Sequence, residues 1–148
     1  MYKLTIDLVP ASVWHTNVRT LLPSHTWDQI RHKAYTLAGH ICEICGGVGP
    51  DHPVECHEVW NYNDTTSVQT LVGFLSLCPA CHQAKHFGLA RVQGKDQEAK
   101  KHLMRINSMT KNAVDEYIFE EFVVWRKRSR AEWKTDISYI REFLNEGD

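Results

Sequence analysis

The stretch LCPACHQAKHFG, residues 77–88, places Cys78, Cys81, His82 and His86 within a few turns of chain. Its two thiols have counterparts upstream, Cys42 and Cys45, in a second C-x-x-C beside Gly46 and Gly47. A cysteine pair of this spacing at a tight turn directs both sulfurs at one metal, about 2.3 Å away in the case of zinc. Two such pairs in one chain predict a four-thiolate zinc site built by Cys42, Cys45, Cys78 and Cys81.

Working outward, VECHEVW (54–60) is rich in β-formers and reads as a strand, NYNDTTS (61–67) as a polar loop, and LVGFLSL (71–77) as a second strand. The two strands form a hairpin whose base the zinc pins. Pro79 suits the first turn of a short helix carrying Cys81, His82 and His86, with Gly88 as its stop. GGVGPDHP (46–53) reads as a turn region.

Upstream, Ser24 or Thr26 is the expected cap of a helix with Trp27, Ile30, Ala34 and Leu37 on one stripe, ending at Gly39. KLTIDLV (3–9) alternates, with Leu4, Ile6 and Leu8 on one face, and predicts a strand ending at Pro10. Trp14, Val18, Leu21 and Leu22 anchor the segment that connects them. Downstream, residues 95–107 show helical periodicity through Ala99, His102, Leu103 and Ile106. Residues 110–128 show it through Val114, Tyr117, Ile118, Phe122 and Trp125. A short helix or strand follows Asp136, using Ile137, Ile140 and Leu144.

The expected fold is therefore α+β. An N-terminal strand and connecting segment (1–23) lead into a zinc domain (24–90) that opens with a helix, and a helical C-terminal extension (91–148) packs on it.

The 148-residue chain is 43% hydrophobic and 24% charged, as an ordinary globular domain is. No apolar run approaches the roughly 18–20 residues that cross a bilayer, and the alternating N-terminus is unlike a signal peptide. A cytoplasmic protein without membrane contact is expected. Five cysteines, an odd number, argue against a disulfide framework and for metal binding by reduced thiols. The net charge of −1 lacks the basic excess of a dedicated nucleic-acid binder, so any such contact must come from a local patch. The run RKRSR offers one in Arg126, Lys127, Arg128 and Arg130; it suits phosphate contact and, equally, the solvated C-terminal end of a helix.

With zinc on the cysteines, His82 and His86 remain, at i and i+4 on one helix face and about 6 Å apart, able to share a metal or a phosphate. His57 lies on the hairpin that zinc presses toward that helix.

In this order, ICEICGG, VECHEVW and LSLCPACHQAKHFG resemble the HNH endonucleases of the ββα-metal, treble-clef type, over roughly residues 24–88. The resemblance implies a zinc-bound treble-clef finger that hydrolyses DNA phosphodiesters with a second divalent ion, Mg2+ or another. It implies His57 as the general base that activates water, and His82, with His86, as ligands of the second metal. DNA is then the expected partner. Two positions depart from the family pattern. Cys56 stands before the base, where an acidic residue or histidine is usual, and Gly73 falls near the central asparagine. Asn61, Asn63, Asp64, Glu55 and Glu58 are the available substitutes. The alternative is a catalytically silent zinc module that binds nucleic acid or a protein partner.

Overall fold

A β-hairpin organises the molecule, seen here in a computed structural model that describes residues 2–48 and 54–145. Strand β1 (Glu55–Asn63) pairs antiparallel with β2 (Val68–Leu77), with Glu55 opposite Leu77 and His57 opposite Leu75. The turn between them is closed by Asn63, whose Oδ1 accepts the N–H groups of Thr65 and Thr66. Val59 faces Gly73 while Trp60 faces Leu71, so Val72 is an extra, bulged residue. That bulge shifts the alternation and lets Leu71 and Phe74, three apart, share one apolar cluster.

Helix α1 (Val18–Leu21) and helix α2 (Ser24–Leu37) precede the hairpin. Pro23 occupies the N-cap of α2 without a side-chain bond, so neither Ser24 nor Thr26 caps it as expected; Ser24 is already helical. Ile30 and Ala34 are buried as the stripe requires, but Leu37 is 70% exposed, because α2 overhangs its support by its last turn. Gly39 and His40 then turn the chain with φ of 67° and 61°. Of the expected turn region 46–53, residues 49–53 lie outside the described residues.

After β2 the chain enters α3 (Pro79–Lys85), with Cys78 at the N-cap and Pro79 in the first turn as expected. Gly88 does not close this helix. The chain breaks at His86 (φ −88°, ψ 53°) and resumes as α4 (Phe87–Val92), inside which Gly88 gives room to an indole: a Cβ there would lie 3.1 Å from Trp14. Helices α5 (Asp96–Asn107) and α6 (Lys111–Arg128) follow close to their predicted bounds. The C-terminal segment is not helical throughout: β3 (Lys134–Asp136) adds to β2 in parallel, giving the order β1-β2-β3, before α7 (Tyr139–Asn145). Among the described residues the fold is thus α+β, with a three-stranded sheet and seven α-helices.

The N-terminal stretch corrects the sequence reading. Leu4, Ile6 and Leu8 are buried together, as alternation demands, but the stretch joins no sheet. Its N–H groups go instead to Asn107 Oδ1 (from Leu4), Tyr117 Oη (from Ile6) and the Lys85 carbonyl (from Asp7). A period of two shows that a chain is extended; it does not say that its partner is a strand.

Two apolar clusters hold these elements. The first gathers Leu4, Ile6 and Leu8 with the cysteine turns, Leu77, Ala84, Phe87, Leu103 and Val114. The second gathers Val18, Ile30, Ala34, Leu71, Ile140 and Phe143. Each draws on residues before 24, between 24 and 90, and after 90, so the three expected segments share their cores.

Candidate metal centres

The thiols of Cys42, Cys45, Cys78 and Cys81 lie within 4.8 Å of one another, and none is in a disulfide. The first pair sits on a turn closed by Cys42 N–H to the Gly47 carbonyl and Gly46 N–H to the Cys42 carbonyl. Glu43 clamps that turn to β2, exchanging bonds with the Ser76 carbonyl (2.9 Å) and N–H (2.7 Å). Backbone N–H groups point at the sulfurs: Gly47 to Cys45 and Cys81 to Cys78, each 3.4 Å. The Cys45 and Cys78 sulfurs are 3.6 Å apart. That is too long for a disulfide of about 2.05 Å. It matches the edge, about 3.8 Å, of a tetrahedron whose arms are about 2.3 Å long. The donor set is compatible with a bound metal such as zinc.

Burial acts against ionisation of these thiols, but N–H bonds from the backbone outweigh it at Cys42 and bring its pKa to about 7. Cys78 and Cys81 are raised, chiefly by burial. Cys42 therefore ionises before Cys78 and Cys81, and a metal bound to these thiols would displace their protons. The sequence reading missed His102, whose Nε2 lies 3.2 Å from the Cys81 sulfur while its Nδ1 meets Arg105 at 3.0 Å.

The second cluster is His57, His82 and His86, each with a ring nitrogen within 4.8 Å of the others. Ring centroids are 5.4 Å (57–82), 4.9 Å (57–86) and 4.8 Å (82–86) apart. Cys78 and Cys81 bracket the start of α3, the helix that carries His82 and leads to His86, while His57 comes from β1. Two carboxylates orient the rings. His57 Nε2 donates to Asp7 Oδ2 at 2.7 Å and His82 Nδ1 donates to Glu55 Oε1 at 2.9 Å. A carboxylate only accepts, so His57 Nδ1 and His82 Nε2 keep their lone pairs. His57 is 1% exposed and its Nδ1 is buried without a protein partner. Burial, then the neighbouring histidines, push His86 down to about 3, so it is a neutral imidazole. His82 is also lowered, mainly by burial.

Asp7 has no signal in the sequence beyond being an acid within LTIDLV. Burial would raise its carboxyl, but the His57 hydrogen bond and the charge of Lys85 outweigh that and hold it below the usual range. Lys85 is itself buried, 3.6 Å from Asp7 and bonded to Thr5 Oγ1 at 2.8 Å.

The other candidates are not members of the three-histidine cluster, although Cys56 and Glu58 line the cavity beside it. Cys56 joins neither cluster; it packs against the second core, and burial pushes its thiol up to about 12. Gly73 lies in the ladder opposite Val59. Asn63 closes the hairpin turn, and Asp64 beside it pairs with Arg128 at 2.9 Å. Glu58 accepts from Val18 N–H at 2.7 Å, and burial raises it to about 7. Arg126, Lys127 and Arg130 are exposed at the end of α6, whereas Arg128 is held by Asp64 and lies over the Tyr62 ring. Arg128 shares one groove with Asp7. A second cavity of about 290 Å³ is lined by the three histidines together with Trp14, Trp27 and Trp60.

No family model, curated protein or solved structure matches the chain.

Among the described residues no helix is long and apolar enough to cross a membrane.

Proposed function

We propose that the protein is a metal-dependent endonuclease of the HNH type, hydrolysing DNA phosphodiester bonds with a zinc-tied, treble-clef-like hairpin and helix as its frame. The observation that carries this reading is the gathering of His57, His82 and His86 along the lining of a cavity, beside a helix whose start carries two members of a four-cysteine cluster. His82 and His86 are neutral imidazoles suited to a divalent ion. Such an ion, when bound, supplies positive charge for the scissile phosphate and the leaving oxygen.

His57 takes the role of base. Asp7 accepts the hydrogen bond from Nε2–H, which stays on the ring, and so stabilises the imidazolium that forms when Nδ1 accepts a proton from the attacking water. Glu55 fixes the tautomer of His82 and presents Nε2 to the metal. Lys85 balances the charge of Asp7 and sets its position. Of the basic run Arg126, Lys127, Arg128 and Arg130, the three exposed members, Arg126, Lys127 and Arg130, would supply positive charge for phosphate contacts, Arg128 being paired with Asp64.

One observation favours a second reading, a catalytically silent module that binds nucleic acid or a protein. All three imidazoles belong to one cluster, and Cys56, a neutral thiol, adds no carboxylate to it. If all three ligate one ion, no base remains. A plasmid-nicking assay with magnesium, manganese, nickel and zinc, run beside His57→Ala, separates the two.

A further inference from the structure

We infer that the cavity beside the three histidines receives the base of an unpaired nucleotide, so that the preferred substrate is single-stranded or locally unpaired DNA. This rests on the nuclease reading above and specifies its substrate class.

Three of the chain's five tryptophans, Trp14, Trp27 and Trp60, line this one cavity together with His57, His82 and His86. Trp27 and Trp60 also rest on the second apolar cluster, while the other two tryptophans are bonded away from the cavity, Trp125 to the Val9 carbonyl and Trp133 to the Arg128 carbonyl. Indole faces accept any base by stacking, the usual device for unpaired nucleic acid. The cavity encloses about 290 Å³. That is near the lower limit, about 300 Å³, of small-molecule sites, room for one nucleotide base. Arg19, exposed on the cavity's lining, supplies positive charge for the attached phosphate.

The walls are fixed in place. Trp14 rests on α4 where Gly88 has no side chain, a Cβ there coming within 3.1 Å of its ring. The segment bearing Asn17 and Arg19 is capped by reciprocal Asn17 and Thr20 bonds and tied to β1 through Glu58 and Val18 N–H. A base stacked in this cavity leaves its own phosphate beside the histidines. A base still paired in a helix cannot enter, and extruding it costs unstacking energy that an unpaired base is spared.

The test is fluorescence anisotropy with one labelled oligonucleotide as a single strand, a perfect duplex, and a duplex with one unpaired nucleotide. The single strand and the interrupted duplex should bind about tenfold tighter than the perfect duplex, the size expected for one stacked base. Trp14→Ala should remove that margin. Arg19→Ala, an exposed change that leaves the fold alone, should reduce it. Equal affinity for all three forms, or a margin that both variants retain, overturns the proposal. Cleavage of the same oligonucleotides is scored separately. A margin lost in the variants without any cleavage keeps the pocket and removes the nuclease. Cleavage of the perfect duplex with no margin in binding does the reverse.

Discussion

Asp7 Oδ2 lies 2.7 Å from Nε2 of His57, joining an extended N-terminal segment to a buried histidine fifty residues later. The bond assigns the ring's proton, and with it the direction of the lone pair on Nδ1. Asp7→Asn keeps the size of the side chain but removes the charge that stabilises a protonated His57. It should lower the cleavage rate about 10- to 100-fold, as loss of a carboxylate behind a functional histidine commonly does. Circular dichroism and zinc content should match wild type, and kcat should fall more than KM rises. An unchanged kcat means that Asp7 holds the segment and nothing more.

Zinc analysis should find about one tightly held ion per chain on Cys42, Cys45, Cys78 and Cys81. Serine at any of these positions should release it and unfold much of the chain, since structural zinc supplies about 10–16 kcal/mol at neutral pH in small domains. Well-folded protein without metal contradicts this assignment.

Cys56 tests the ligand set from the other side. Its thiol packs against the second core and stays protonated, its pKa pushed up to about 12 by burial. Cys56→Ser should leave zinc stoichiometry unchanged, with a small loss of thermal stability from placing a hydroxyl among apolar groups. Zinc loss in this variant, measured by mass spectrometry of the native protein, shows that the ligands are misassigned.

At the end of α6 the four basic residues should not behave alike. Arg126, Lys127 and Arg130 are exposed, while Arg128 is engaged by Asp64 through two bonds, 2.9 and 3.2 Å. Replacing the first three by alanine should weaken DNA binding and reduce the slope of log affinity against log salt by about 0.9 per lost phosphate contact on a duplex. Arg128→Ala should change the slope less. A slope unaffected by the triple change places the DNA elsewhere.

How much of this was legible in the sequence depends on whether the determinant is local. The hairpin, α3 and the two C-x-x-C turns follow from short-range patterns, and the four cysteines gather as their spacing implies; His86, expected on the same helix face as His82, stands instead at the break between α3 and α4. Leu4, Ile6 and Leu8 announced burial and extension correctly. Their backbone partners, Asn107, Tyr117 and Lys85, lie far along the chain, where periodicity carries no information. Asp7 and His102 were invisible for the same reason: each is defined by what it meets across the fold. Gly88 looked like a helix stop because its true role, yielding space to Trp14, is a tertiary contact. Strand β3 is three residues long, too short for any pattern to register.

The most direct measurement of the central claim is supercoiled-plasmid nicking by wild type and His57→Ala in magnesium, manganese, nickel and zinc. Wild type should nick with at least one of these ions. His57→Ala should lose about 10²- to 10⁴-fold in rate, the usual contribution of a general base, while keeping its zinc and its affinity for DNA. No nicking by wild type with any of the four ions, together with identical DNA binding by His57→Ala, contradicts the account and leaves the three-histidine cluster a structural metal site.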